Sequence, residues 1–420
     1  MLSEKSYSVF FGFVLFCAIA AYGYYHRWAA ALILLLVMLS VTTFLVAPRE
    51  IPNQVRKLRL HIIVLFLAIP LTYALSLVIH SEWIWREFDN PSRLLLFIPI
   101  FWAIVRLDID SRFIDFGFLV GAVVIGVSAL IFYEGRPLGV NYGNYISFGN
   151  IALALGVSAF ILVSLNPTYS SSLKILGAIA LTLSLVALGA SGSRGGWIGL
   201  VLLSLFLLLK ANFKFWQKGL FLGLFIAFVF GVDSLLLHNL ISSRVDYAIR
   251  DVGCFLNDPY APCATKSGGT RLWMFWISLQ GFLDAPWLGN GFDFLSKAID
   301  EGVASGAVPK GLARWGVDEA YAHAHNDILT LLGEQGLLGL VGYLTFMIGL
   351  IFVGIRLKSS SVNVNIYATA LIINVFLFFD FGLTRSVLGR SDVFTYLGFT
   401  SAVLAGMAIK HYLKDDRFHV

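Results

Sequence analysis

At 420 residues, 58% hydrophobic and 13% charged, with a mean hydropathy of +0.81, the chain is far too apolar for a soluble globular or a disordered protein. The formal charge of +5 does not mark a nucleic-acid binder. The basic residues gather in hinges between apolar runs, where they set membrane topology.

The opening Met1-Leu2-Ser3-Glu4-Lys5 leads into the first apolar run without a small-residue cleavage site, so the first helix is expected to be retained. Repeated runs of spanning length predict an all-α, polytopic membrane protein with about twelve transmembrane helices. They lie at roughly 8–25, 27–47, 60–79, 92–106, 115–133, 146–165, 172–191, 195–210, 216–236, 326–355, 363–383 and 391–411. The chain thereby divides into nine spans within 1–236, one large loop over 237–325, and three further spans with a tail over 326–420. Outside that loop, sixteen Lys and Arg residues sit at one set of helix ends and seven at the other. The bias assigns both termini to the cytoplasm and the large loop to the outward face.

The outward arginines come first in chain order. Arg136 stands in Glu134-Gly135-Arg136-Pro137. Arg194 stands in Ser191-Gly192-Ser193-Arg194-Gly195-Gly196-Trp197, where Ser193 is a natural cap for the next helix. A cation at a helix N-terminus opposes the macrodipole, a placement that makes sense if an anion normally occupies the site. The other reading is an arginine that snorkels to the interface. Arg271 repeats the arrangement in Ser267-Gly268-Gly269-Thr270-Arg271, with Thr270 expected to cap the apolar stretch Leu272–Leu283. That stretch is too short to span and reads as an interfacial or re-entrant helix. Two glycine–arginine helix starts on one face favour a diphosphate clamp over two solvated arginines.

Cys17 falls in the first helix, where a thiol behaves as a small hydrophobe. Cys254 and Cys263 lie close together in the loop, and a disulfide between them fits an outward, oxidising compartment. Neither has a second ligand at zinc-like spacing, so metal binding has less support. After the loop helix, Pro286-Trp287-Leu288-Gly289-Asn290-Gly291 supplies turn chemistry.

The loop closes on Ala322-His323-Ala324-His325-Asn326-Asp327, running into the tenth span. Asn326 or Asp327 would cap that helix, leaving His325 just outside it at the membrane surface. An imidazole there is a usable general base near neutral pH, though an interfacial histidine held by loop carbonyls is the plainer reading. His323 is then a supporting or merely polar neighbour. Gly336 and Gly339, further along the helix, would let another span pack closely and fix the helix that aims the imidazole. For Arg136, Arg385 and Arg390, with Asp380 and Asp392, structural ion pairs are expected. No Ser-His-Asp order and no paired carboxylates for a divalent metal are present, so any transfer chemistry should use arginines for charge neutralisation, without metal or cofactor.

His325-Asn326, nine residues, Gly336, two residues and Gly339 resemble the His-Asn-x9-Gly-x2-Gly pattern of the O-antigen ligase and polymerase superfamily. The Ser-Gly-Ser-Arg-Gly-Gly and Pro-Trp-Leu-Gly-Asn-Gly stretches, and the plan of twelve spans with one large loop before the histidine, are similar too. The resemblance covers most of the chain and is nearest to the ligases. It implies a bacterial inner-membrane glycosyltransferase with a periplasmic active site. The donor would be O-antigen polysaccharide on undecaprenyl diphosphate, and the acceptor a hydroxyl of lipid A–core oligosaccharide. It carries His325 over as catalytic base and Arg194 and Arg271 as diphosphate contacts, with His323, Asn326, Arg136, Arg385 and Arg390 as secondary positions. A chain-extending polymerase or a protein O-oligosaccharyltransferase shares these motifs. A lipid-linked oligosaccharide flippase would instead place its cations near the midplane in broken helices or inverted repeats.

Overall fold

A computed structural model describes residues 3–46, 53–81, 84–131, 144–192, 240–316, 323–357 and 361–416, together with positions 196 and 200. Among the described residues the chain is helical throughout, without a β-strand, and ten of its helices are long and apolar enough to cross a membrane. It is a polytopic membrane protein. Seven of these precede the large loop: α1 (Glu4–Ala21), α2 (His26–Val46), α3 (Asn53–Ile79), α4 (Trp85–Arg106), α5 (Arg112–Ile131), α6 (Tyr145–Ala159) and α7 (Ser171–Ser191). The expected spans 195–210 and 216–236 lie outside the described residues, apart from positions 196 and 200. Three shorter helices follow, α8 (Leu240–Asn257), α9 (Ser267–Asp284) and α10 (Phe294–Ser305), and then α11 (Asp327–Arg356), α12 (Val362–Thr384) and α13 (Ser391–Asp416).

Local sequence explains the helix ends. Ser3 accepts the Ser6 N–H, Asn144 accepts those of Ile146 and Ser147, and Ser170 accepts that of Leu173, satisfying donors that a first turn leaves unpaired. Two helix starts differ most from expectation. α3 begins at Asn53 rather than near residue 60, and α4 begins at Trp85 rather than near residue 92, because polar residues, Arg86, Glu87 and Asp89 in α4, precede the apolar part.

Hydropathy alone does not rank the spans by depth, but packing does. The apolar window of α2 is 28% buried, with Leu34, Met38 and Val41 turned outward, whereas that of α13 is wholly buried. α13 is therefore the bundle's axis. Its Tyr396 meets Tyr22 at 4.8 Å, Phe394 meets Phe378 at 5.7 Å, and Phe399 meets Phe97 at 6.2 Å between ring centroids. Asn374 on α12 donates to the Ser401 hydroxyl at 2.9 Å and accepts from Thr400 at 3.1 Å, a polar tie between two buried spans.

The loop forms a helical cap with its own core of Trp273, Met274, Ile277, Leu295, Ile299 and Leu312. Trp273 donates to the Pro259 carbonyl at 3.1 Å. Cys254 and Cys263 are joined by a disulfide, with Cα atoms 6.1 Å apart.

Candidate active site

The start of α11 is assembled by three consecutive residues, each with a separate task. Asn326 is the N-cap: its Oδ1 accepts the Leu329 N–H at 3.0 Å, while its Nδ2 donates to the Leu383 carbonyl at 3.1 Å. Asp327 is fully buried and its Oδ1 accepts the N–H groups of Val387 and Leu388 at 2.9 and 3.2 Å. These bonds fasten the α12–α13 hinge to the head of α11. His325 precedes them with φ at +52°, in the left-handed region that a residue bearing a Cβ seldom adopts. Such backbone costs on the order of 1–3 kcal/mol and persists where its surroundings over-determine it.

His323 lies beside His325, with ring centroids 4.6 Å apart. Between them Ala324 is buried in the cap core and donates its N–H to Thr330 at 3.2 Å, so the two imidazoles are displayed on either side of an anchored residue. Burial, then the neighbouring His323 and the charges of Arg271 and Arg385, depress the His325 imidazole to a pKa of about 2. It is neutral at physiological pH and can accept a proton.

Arg271 approaches this centre differently from the sequence reading. α9 starts at Ser267, with Lys266 at the N-cap position, so Thr270 does not cap the helix and Arg271 lies past its first turn. The Gly268 N–H is taken by Asp251 at 2.9 Å, and Thr270 donates to the Thr265 carbonyl at 2.6 Å. The helix start is thus closed by protein groups. What Arg271 presents to His325 is its charge.

Arg385 was expected in a structural ion pair; the structure puts it elsewhere. It is 7% exposed, and its Nη1 donates to Oδ1 of Asn144, the cap of α6. Burial and the nearby Arg390 lower its pKa to about 10, leaving it cationic at neutral pH. Arg390 does face an acid, with Nε 3.9 Å from Asp392. Asn144 and the anchoring role of Asp327 were not foreseen. Only the position of Asp327 directly after a capping asparagine hints at it. Arg136 and Arg194 lie outside the described residues.

Gly336 also departs from expectation. It does not sit in a continuous helix facing another span, but breaks α11 with φ +60° and ψ −149°. The turn at 286–291 plugs the break: Leu337 and Leu338 donate to the Pro286 and Trp287 carbonyls at 2.8 and 3.1 Å, and Asn290 and Gly291 donate to Gly333 and Glu334 at 3.1 and 2.9 Å. A Cβ on Gly336 would lie 2.7 Å from the turn's backbone, and one on Gly289 would meet the backbone of Glu334 and Gln335. Each glycine is required by the other's approach, so the cap is stitched into the span that carries the histidines.

Comparison with known proteins places this geometry. Residues 179–344 match the family model described as O-antigen ligase, a stretch that includes α9, the turn at 286–291, both histidines and the break at Gly336. The chain is also similar to an uncharacterised protein of Haemophilus influenzae, 29% identical over 293 residues, which cover 68% of this chain and 70% of the relative.

Proposed function

We propose that the chain, whose residues 179–344 match the O-antigen ligase family model, joins a polysaccharide carried on undecaprenyl diphosphate to a hydroxyl of lipid A–core oligosaccharide, on the periplasmic face of the bacterial inner membrane. The observation that carries this reading is the centre at the head of α11. A neutral imidazole in left-handed backbone stands within the field of two arginines, Arg271 from the cap and Arg385 from the bundle.

In this reading His325 takes the proton of the acceptor hydroxyl as its oxygen attacks the anomeric carbon. The bond from that carbon to the diphosphate breaks in the same displacement, so the anomeric centre inverts. Negative charge grows on the leaving diphosphate, and the guanidinium groups of Arg271 and Arg194 stabilise it. Metal ions have no part. Arg385 adds positive field at the same place, and Asn326 and Asp327 fix the head of α11, next to the imidazole, against the α12–α13 hinge.

The depressed basicity of His325 fits an ordered reaction. A diphosphate bound against the arginines offsets two of the charges that disfavour the imidazolium, so donor binding raises the proton affinity of the base when it is needed. Arg271→Lys should lose most of the activity, since lysine cannot reproduce bidentate contact with phosphate oxygens. The decisive experiment is lipopolysaccharide banding in a deletion strain. Loss of the ladder with accumulation of full-length lipid-linked polymer supports the ligase, whereas accumulation of single repeat units assigns the chain to the polymerases.

A further inference from the structure

We propose that a cavity of about 550 Å³ at the same end of the bundle, walled by three interhelical hinges, is a carbohydrate subsite. Its volume falls within the range of about 300–1,000 Å³ common for ligand pockets. Tyr25 comes from the α1–α2 hinge with His26 and Arg27 at the start of α2, Arg86 and Asp89 from the start of α4, and Arg390 from the hinge between α12 and α13 with Asp392 at the start of α13.

The lining decides the ligand class. Among the described residues none of its lining is aliphatic, which makes it a poor seat for an acyl or isoprenoid tail. A simple anion site would not turn carboxylates inward, yet Asp89 and Asp392 both line the cavity. Carboxylates that accept, guanidinium groups that donate and an aromatic ring in the lining together match the hydroxyls and C–H groups of a sugar. The arginines leave room for a phosphate on it.

The walls are held in place before any ligand arrives. Tyr25 packs edge-on against Trp28 at 5.8 Å. Arg93 bridges Asp89 at 2.6 Å and Thr395 at 2.9 Å. Arg86 reaches Asp293 of the cap at 3.6 Å. The floor is shared with the histidine centre. Leu388 donates its N–H to Asp327 on one side, and its carbonyl accepts from Asn90, a lining residue, at 3.1 Å on the other. A sugar in the cavity is therefore one hinge away from His325.

Which sugar occupies it rests on the proposed transfer. The acceptor oligosaccharide and the donor glycan share the chemistry, and the test separates them. Purified full-length chain in nanodiscs is titrated with lipid-free core oligosaccharide and, separately, with O-antigen polysaccharide freed from its carrier, by saturation-transfer NMR. Binding of either glycan, weakened at least tenfold in Tyr25→Ala and in Arg27→Ala with unchanged melting temperature, supports the subsite. Inorganic phosphate competing as well as the glycan, or wild-type binding by both variants, overturns it. In reconstituted transfer, a tenfold rise in KM for the acceptor alone in both variants names the acceptor; a rise for the donor alone names the donor glycan. If wild-type protein transfers nothing, the titration still decides the subsite, so failure of the transfer reading remains distinct.

Discussion

At the scale of residues, the proposed chemistry turns on one imidazole. An unperturbed histidine loses its charge near pH 6.5, but burial and neighbouring cations hold His325 at about 2. In the free protein it stays neutral from pH 8 down to pH 4. The acid limb of kcat/KM for the donor, which reports the free enzyme, should therefore lie below pH 5. The acid limb of kcat should lie higher, because bound diphosphate offsets the arginines. A donor kcat/KM that falls at pH 6.5 would show that the imidazole is not shielded in this way. The same shift makes acid unfavourable to folding: below pH about 6.5 the unfolded chain binds a proton at position 325 that the folded chain does not. His325→Ala should lower the single-turnover rate by about 10²–10⁴-fold, while His323→Ala retains substantial turnover. Near-normal single turnover in His325→Ala would remove it from the reaction.

Elements matter where the cap meets the bundle. The break at Gly336 combines positive φ with extended ψ, a region essentially reserved for glycine, and the turn at 286–291 occupies the space a side chain would need. Gly336→Ala should lower stability by roughly 2 kcal/mol or more and disturb activity along with it. Gly253 provides the contrast, since it lies inside α8 with nothing within 4 Å of its would-be Cβ. Gly253→Ala should be neutral or stabilise by up to about 1 kcal/mol. Melting temperatures of the two variants in one detergent decide this, and equal shifts would refute the docking role of the turn. The disulfide acts on the same cap. Closing a loop this short contributes about 2–3 kcal/mol, so Cys254→Ser with Cys263→Ser should loosen the cap, read as faster hydrogen exchange over 254–284. Unchanged protection would mean that the Trp273 core holds the cap unaided.

For the whole molecule, the proposed charge neutralisation by arginine rather than by metal predicts that transfer survives chelation. Activity lost in EDTA and restored by Mg²⁺ or Mn²⁺ would reveal a metal site among the acidic residues. The likeness to the O-antigen ligase family over residues 179–344 was legible because its motifs are local: a histidine and asparagine at a helix start, and glycines at fixed distances. The helices were legible too, since a bilayer demands about twenty apolar residues in a row, and the ten described spans follow those runs closely.

The sequence by itself determined membrane class and helix positions and narrowed the cap of α11 to Asn326 or Asp327, because each depends on neighbours in the chain. Tertiary structure alone decided which span lies at the axis, since α2 and α13 are comparably apolar and differ only in what surrounds them. It also decided that Gly336 receives a turn from 45 or more residues earlier rather than a neighbouring span, and that Arg385 donates to Asn144, 241 positions away. A buried guanidinium settles where its donors find acceptors at the lowest desolvation cost. That choice is made between distant segments, and no spacing along one of them records it.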